Sequence, residues 1–161
     1  LIVFSSKYGA TQKCAELIKN GLKHDVSLVN LKNQTCSNID DYDVILIGGA
    51  IYAGKIPKEI STFLNENRKE LLTKKIGLFL CCKEEGLKAQ NYLKDNFPDW
   101  VYERASIKEH LRHGINFEKM NFLEKIIIKS LIKIKESYLD LKHGNIERLI
   151  NTVNRLDDIR G

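Results

Sequence analysis

Leu1-Ile2-Val3-Phe4-Ser5-Ser6-Lys7-Tyr8-Gly9-Ala10-Thr11 opens the chain, and these residues decide the fold. The apolar start, with β-branched Ile2 and Val3, predicts a short strand ending near Ser5. From Thr11 to Lys23, Cys14, Ala15, Ile18 and Leu22 recur at helical spacing, so a helix follows directly. The joining loop is rich in hydroxyls and carries Gly9 where the backbone must turn closely. A helix N-terminus presents unpaired N–H donors and partial positive charge, which suits a phosphate. Ser6 and Thr11 add hydroxyl donors. The plain alternative is a strand-to-helix turn capped by a hydroxyl residue. Neither GxxxxGK[ST] nor GxGxxG is present.

Outward from this loop, strand and helix patterns alternate. Strands are predicted at Val26 to Leu31, Tyr42 to Gly48 and Ile76 to Cys82, with a fifth somewhere in Ile107 to Ile115. The third, YDVILIG, is apolar without alternation, as a strand covered on both faces should be. Helices are predicted from Pro57 to Leu72, from Gly86 to Asn96 and from Asn145 to Ile159. The last carries Ile146, Leu149, Ile150, Val153 and Leu156 as an apolar stripe. Strict alternation implies an α/β fold: one open, doubly wound, five-stranded parallel sheet with helices on both faces. Such sheets bind ligands beyond the carboxyl ends of their strands, so function belongs in the loops after strands one, three and four.

The composition agrees. The chain has 161 residues, 43% hydrophobic and 29% charged, which suits one folded domain over 1–161 and excludes a disordered chain. A net charge of +5 favours anionic partners without choosing among them. Cys14, Cys36, Cys81 and Cys82 show no metal spacing, so they are expected to be thiols in a reducing compartment. No metal site is expected. Leu1 to Phe4 is too short for a signal peptide, and a few residues are expected ahead of Leu1. No run approaches the roughly 20 apolar residues of a membrane span.

Leu1 to Thr11 resembles the signature of the flavodoxin-like superfamily: an aliphatic strand, an aromatic, then Ser/Thr-x-x-Gly-x-Thr, here Phe4, Ser6, Gly9 and Thr11. The resemblance implies the strand order 2-1-3-4-5 and non-covalent FMN. It implies that Ser5, Ser6, Lys7, Tyr8, Gly9, Ala10 and Thr11 hold the FMN phosphate. Lys7 and Tyr8 depart from the small hydroxyl residues usual there. After strand three, Gly48-Gly49-Ala50-Ile51-Tyr52-Ala53-Gly54-Lys55 leaves the backbone bare enough for a flat ring to approach. The resemblance places Gly49, Ala50, Ile51, Tyr52, Ala53 and Gly54 against the flavin ring, with main-chain groups near Ala53-Gly54 hydrogen bonding to its N5. Otherwise Tyr52 is an aromatic packed on the loop and the glycines a flexible connector. The third flavin loop falls at Cys82-Lys83-Glu84-Glu85-Gly86, implying contacts from Cys82, Lys83 and Gly86. The acidic-aromatic pattern of small flavodoxins is absent there. Cys81 and Cys82 read as small residues ending a buried strand more readily than as redox thiols.

The stretch IGGAIYAGKIPKEI, residues 47–60, also resembles menaquinone-dependent protoporphyrinogen IX dehydrogenases. That group carries a basic, aliphatic insertion after strand five, and a helical insert is expected here at about 117–144. Within it, FEKMNFLEKIIIKSLIKIKE (117–136) places Lys125, Lys129 and Lys133 in one stripe. A broad apolar arc lies opposite. This suits an interfacial helix on an anionic membrane, a cover over a hydrophobic substrate, a subunit contact, or a core helix with a solvated lysine face. Arg112 and His113 precede it and are the candidates for meeting a substrate carboxylate and moving a proton. Surface placement is the plain alternative for both.

Three classes follow. The first is an FMN-dependent protoporphyrinogen dehydrogenase of heme biosynthesis. It would take a porphyrinogen and menaquinone as partners, reside in the cytoplasm, and touch the inner face of the membrane through 117–136. The second is a flavodoxin-type electron carrier with no substrate of its own. The third is a binding module without flavin. Nucleic acid is not an expected partner, and an oligomer is compatible with the sequence. A phosphorelay receiver needs acidic residues where Ser5-Ser6 and Gly48-Gly49 stand.

Overall fold

In the computed structural model, which describes residues 1–111, 114–115 and 138–158, β1 is Ile2–Ser5 and every one of its residues is buried. Next come α1 (Ala10–Gly21), β2 (Leu28–Asn30), β3 (Val44–Ala50), α2 (Lys58–Glu66) and α3 (Arg68–Leu71). They are followed by β4 (Lys75–Cys81), α4 (Gly86–Asn96), α5 (Asp99–Arg104) and β5 (Ile107–His110). Then come β6 (Gly114–Ile115), β7 (Tyr138–Leu139) and α6 (His143–Asp158). Five strands form one parallel sheet in the order β2-β1-β3-β4-β5. This is the doubly wound parallel sheet expected from the alternation, in the strand order that the family resemblance implied.

Period-two geometry divides each strand between two cores. Val3, Ile45, Ile47, Ile76, Leu78 and Leu80 face a cluster with Ile60, Phe63 and Leu64 of α2, Leu93 of α4 and Val101 of α5. Ile2, Phe4, Leu46, Phe79 and Cys81 face the other cluster, with Cys14, Ala15 and Ile18 of α1 and Ile146, Leu149 and Val153 of α6. Burial on both faces is why β3 and β4 lack alternation in sequence.

Some boundaries differ from the sequence expectation. β3 runs to Ala50, two residues past the expected end at Gly48, so Gly49 and Ala50 are strand residues paired with Leu80 and Cys81. A Cβ on Gly48 would sit 2.4 Å from the Phe79 ring, so the bare backbone there serves packing. The single helix expected over Pro57 to Leu72 is interrupted at Asn67, whose side chain donates to the Phe63 carbonyl at 2.8 Å. α5 was not anticipated, being too short for periodicity to show. Gly114–Ile115 leaves the main sheet and pairs antiparallel with Tyr138–Leu139. Tyr138–Leu139 and the start of α6 at His143 fall within the insert expected at about 117–144, so the expected C-terminal bound is too late. Arg112, His113 and the 117–136 segment lie outside the described residues. Among the described residues, no helix is long and apolar enough to cross a membrane.

Candidate functional site

The register brings the carboxyl ends of β1, β3, β4 and β5 together: Ser5 pairs with Gly49, Ala50 with Cys81, and Leu80 with His110. The order of strand addition reverses between β1 and β3 of this parallel sheet, so this rim is its switch point.

The first loop is a nest of donors. Gly9 takes φ 89°, a left-handed conformation that glycine adopts without steric cost, and caps α1. Ser6 Oγ accepts from the amides of Gly9 at 3.1 Å and Gln12 at 3.4 Å. The Lys13 amide closes the first helical bond, to the Gly9 carbonyl at 2.9 Å. The amides of Ala10 and Thr11 have no protein partner among the described residues. The Thr11 hydroxyl is fully buried with the Cys81 thiol, a weak partner, beside it, and its Oγ1 has no well-formed hydrogen bond among the described residues. A buried hydroxyl without a well-formed hydrogen bond costs free energy, and two open amides stand with it at a helix N-terminus. This donor set fits a phosphate. Ser5 is buried beneath the loop, while Lys7 is exposed with its Nζ 5.1 Å from the Tyr8 ring centre.

Asn30, at the end of β2, holds this loop in place. Its Oδ1 accepts from the Ser6 amide at 3.1 Å, and its Nδ2 donates to the Ser6 carbonyl at 3.4 Å. Sequence reading missed Asn30 because its role depends on β2 lying beside β1. The only available signal was a polar residue closing a strand.

The second loop folds on itself. Tyr52 and Lys55 exchange backbone hydrogen bonds of 2.9 and 3.0 Å, with Ala53 at φ 49° and Gly54 at φ 80° between them. Two positive φ values make this a tight hairpin turn of the primed class. Asn96 of α4 clamps it: Oδ1 accepts from the Ile56 amide at 2.8 Å and Nδ2 donates to the Gly54 carbonyl at 3.2 Å. Asn96 was also missed. The Tyr52 ring meets Tyr8 edge-on at 5.7 Å, joining loops one and two. Tyr52 as a whole is 37% exposed, while its hydroxyl lies against the Lys7 backbone. Burial pushes the Tyr52 hydroxyl up to about 12, so it stays protonated at neutral pH. Ile51 is half-buried, its amide donating to the Cys81 carbonyl at 3.0 Å.

The third loop contains no activated nucleophile. Cys82 is buried, its Sγ donating to the Glu84 carbonyl at 3.6 Å, and burial pushes its thiol up to about 11. Cys81 Sγ lies 3.6 Å from Cys14 Sγ in the core, and this contact together with burial holds the Cys81 thiol well above its ordinary range. Thiols held protonated in this way are packing groups. Lys83 is exposed and Gly86 turns with φ 56°.

Beside this loop is a polar cluster absent from the sequence expectation. Lys142 Nζ lies 3.5 Å from Glu85 Oε1 and 3.3 Å from His110 Nε2. Arg148 donates to both oxygens of buried Glu109, at 2.9 and 3.1 Å, and Asn145 donates to the His110 carbonyl at 2.7 Å. His110, two residues before Arg112, is thus the imidazole placed at this edge. Among the described residues no group of three or more His, Cys, Asp or Glu side chains is placed to hold a metal.

Residues 1–142 match the family model described as flavodoxin domain. No curated protein matches the chain. Solved structures share the fold at low identity. A short-chain flavodoxin associated with a bacterial microcompartment aligns with TM-score 0.55 and 15% identity, over 99% of this chain and 97% of that one. Oxidised flavodoxin 1 from Bacillus cereus aligns with TM-score 0.50 and 16% identity, over 73% and 86%. The flavodiiron core of Flv1 from Synechocystis sp. PCC6803 aligns with TM-score 0.51 and 20% identity over 69% of this chain, which spans only 29% of that protein. With the family model covering most of its length and the sheet in the matching order, the chain belongs to the flavodoxin domain family.

Proposed function

We propose that this protein is an FMN-binding electron-transfer flavoprotein, with the cofactor seated across the three loops at the switch point. The observation that carries this reading is the donor set at the start of α1: the buried Thr11 hydroxyl, without a well-formed hydrogen bond, and the open amides of Ala10 and Thr11. These residues hold the phosphate dianion, and Ser6 and Asn30 keep the loop in shape. Gly49 to Gly54 and Cys82, Lys83 and Gly86 border the ring. FMN supplies the electron chemistry when bound; the protein supplies binding, orientation and electrostatics. No side chain acts as a nucleophile, in keeping with the protonated thiols. The test is a titration of the folded chain with FMN and with riboflavin, followed by flavin fluorescence and calorimetry. FMN is expected to bind much the tighter. Absence of heat and of spectral change at saturating FMN overturns the reading.

The narrower reading is a protoporphyrinogen dehydrogenase passing electrons to a quinone. The 47–60 resemblance supports it, as does a net charge of +5, since a porphyrinogen carries carboxylates. The β6–β7 pairs flanking 116–137 follow directly from the ligand edge of β5, which also favours it. Under this reading 117–136 contacts substrate or an anionic membrane. FMN-loaded protein assayed with protoporphyrinogen and a menaquinone analogue decides the matter. Turnover that disappears on deleting 117–136, with flavin retained, supports the dehydrogenase. FMN binding without turnover leaves the electron carrier.

A further inference from the structure

His110 closes β5 one strand beyond the third loop, its register partner being Leu80 of β4. Lys142 Nζ lies 3.3 Å from its Nε2 and 3.5 Å from Oε1 of Glu85, a third-loop residue. An ammonium only donates, so Nε2 accepts, and the hydrogen of the neutral imidazole sits on Nδ1. A lone pair is therefore held at the ligand edge. Burial favours this neutral form, and so do Lys142 ahead of α6 and Arg148 of α6; Glu109 of β5 and Glu85 oppose them. The backbone around the ring is fixed. The Leu111 amide donates to the Leu80 carbonyl at 2.7 Å, Asn145 donates to the His110 carbonyl at 2.7 Å, and Arg148 ties Glu109 to α6. Glu85 gives Lys142 a second partner, to which it can withdraw when Nε2 takes a proton. An imidazole so placed is a base for neutral pH, set on rigid elements.

We propose that His110 is the proton acceptor for a substrate dehydrogenated at the flavin, with Lys142 as its positioning residue. This deepens the dehydrogenase reading above and rests on it. The substrate class is a molecule that yields a hydride from carbon and a proton from a neighbouring N–H, as a porphyrinogen does. The C–H bond breaks with its electron pair leaving as hydride to the oxidised flavin. The N–H proton passes to Nε2, and the N–H electron pair stays in the substrate as part of a new conjugated double bond. The imidazolium returns the proton to water. A quinone then takes two electrons and two protons, which restores the oxidised flavin.

The test uses the full chain loaded with FMN and isotopically labelled at the histidine nitrogens. At neutral pH the His110 resonances should show a bare Nε2 and a protonated Nδ1, and Lys142→Met should move the His110 titration to higher pH. Flavin reduction by protoporphyrinogen is then followed without oxygen in a single turnover. The wild-type rate should fall as pH drops through the His110 titration. His110→Gln should slow reduction by about 100-fold or more and flatten the profile, with FMN affinity unchanged. Lys142→Met should move the kinetic profile by the same interval as the resonance, which a merely structural residue would not do. A protonated Nε2 in the neutral ring overturns the proposal, as does a kinetic profile that stays in place while the resonance moves. Reduction at the same rate in wild type and His110→Gln removes His110 and leaves the dehydrogenase reading standing. An FMN-loaded wild type that protoporphyrinogen never reduces removes that reading and the proposal with it.

Discussion

Thr11 carries two opposite costs. Its hydroxyl is buried without a well-formed hydrogen bond, which destabilises the ligand-free protein, and it stands ready for a charged acceptor. Thr11→Val removes both effects. The ligand-free variant is expected to gain about 1 kcal/mol against chemical denaturation. Its affinity for FMN should fall by about 10- to 100-fold, the value of a hydrogen bond to a charged group, while its affinity for riboflavin changes little. Equal weakening of both flavins counts against the phosphate assignment. Ala53 shows a different economy. It holds φ 49° in a turn whose first central position favours Asn. Ala53→Asn should stabilise the protein by about 0.5–1 kcal/mol, read as a higher denaturation midpoint with an unchanged slope.

At the level of elements, the junction of β5, the third loop and α6 is pH-sensitive. Burial lowers the His110 imidazole, and the Lys142 ammonium lowers it further; Glu109 and Glu85 oppose this, and Arg148 adds to it. The folded protein therefore resists protonation more than the unfolded chain, whose imidazole titrates near 6.5. The unfolded state takes up more protons, so the stability from neutral His110 is present above pH 6.5 and is lost as pH falls below it. His110→Gln should flatten this part of the stability profile, measured by denaturant titration at pH values on either side of 6.5. An unchanged profile removes His110 as the cause. Periodicity predicted most of these elements because both faces of the sheet are covered. It failed for Gly114–Ile115 and Tyr138–Leu139, whose pairing is set by partners more than twenty residues away in sequence.

For the whole molecule, binding and stability are linked. A ligand that binds only the folded state adds about 2.7 kcal/mol at one hundred times its dissociation constant. For a chain of 161 residues this raises the thermal midpoint by about 5–10 °C, and riboflavin at the same concentration should raise it by less. A midpoint unmoved by FMN argues against a site formed by the native fold.

The alternation of strand and helix, the unbroken apolar runs and the hydroxyl-Gly-Thr loop were legible in the chain, because burial on two faces and a helix start are local patterns. The positions of Ser6, Gly9 and Thr11 were legible for the same reason. Asn30 and Asn96, which clamp two loops, were not, since each acts on a segment tens of residues away. Nor were the Cys14–Cys81 contact and the grouping of His110, Lys142 and Glu85. Local sequence determined where strands and helices form, because backbone preference and side-chain period act over a few residues. Only tertiary packing decided which distant polar groups meet at the sheet's edge, because strand order and register bring them together.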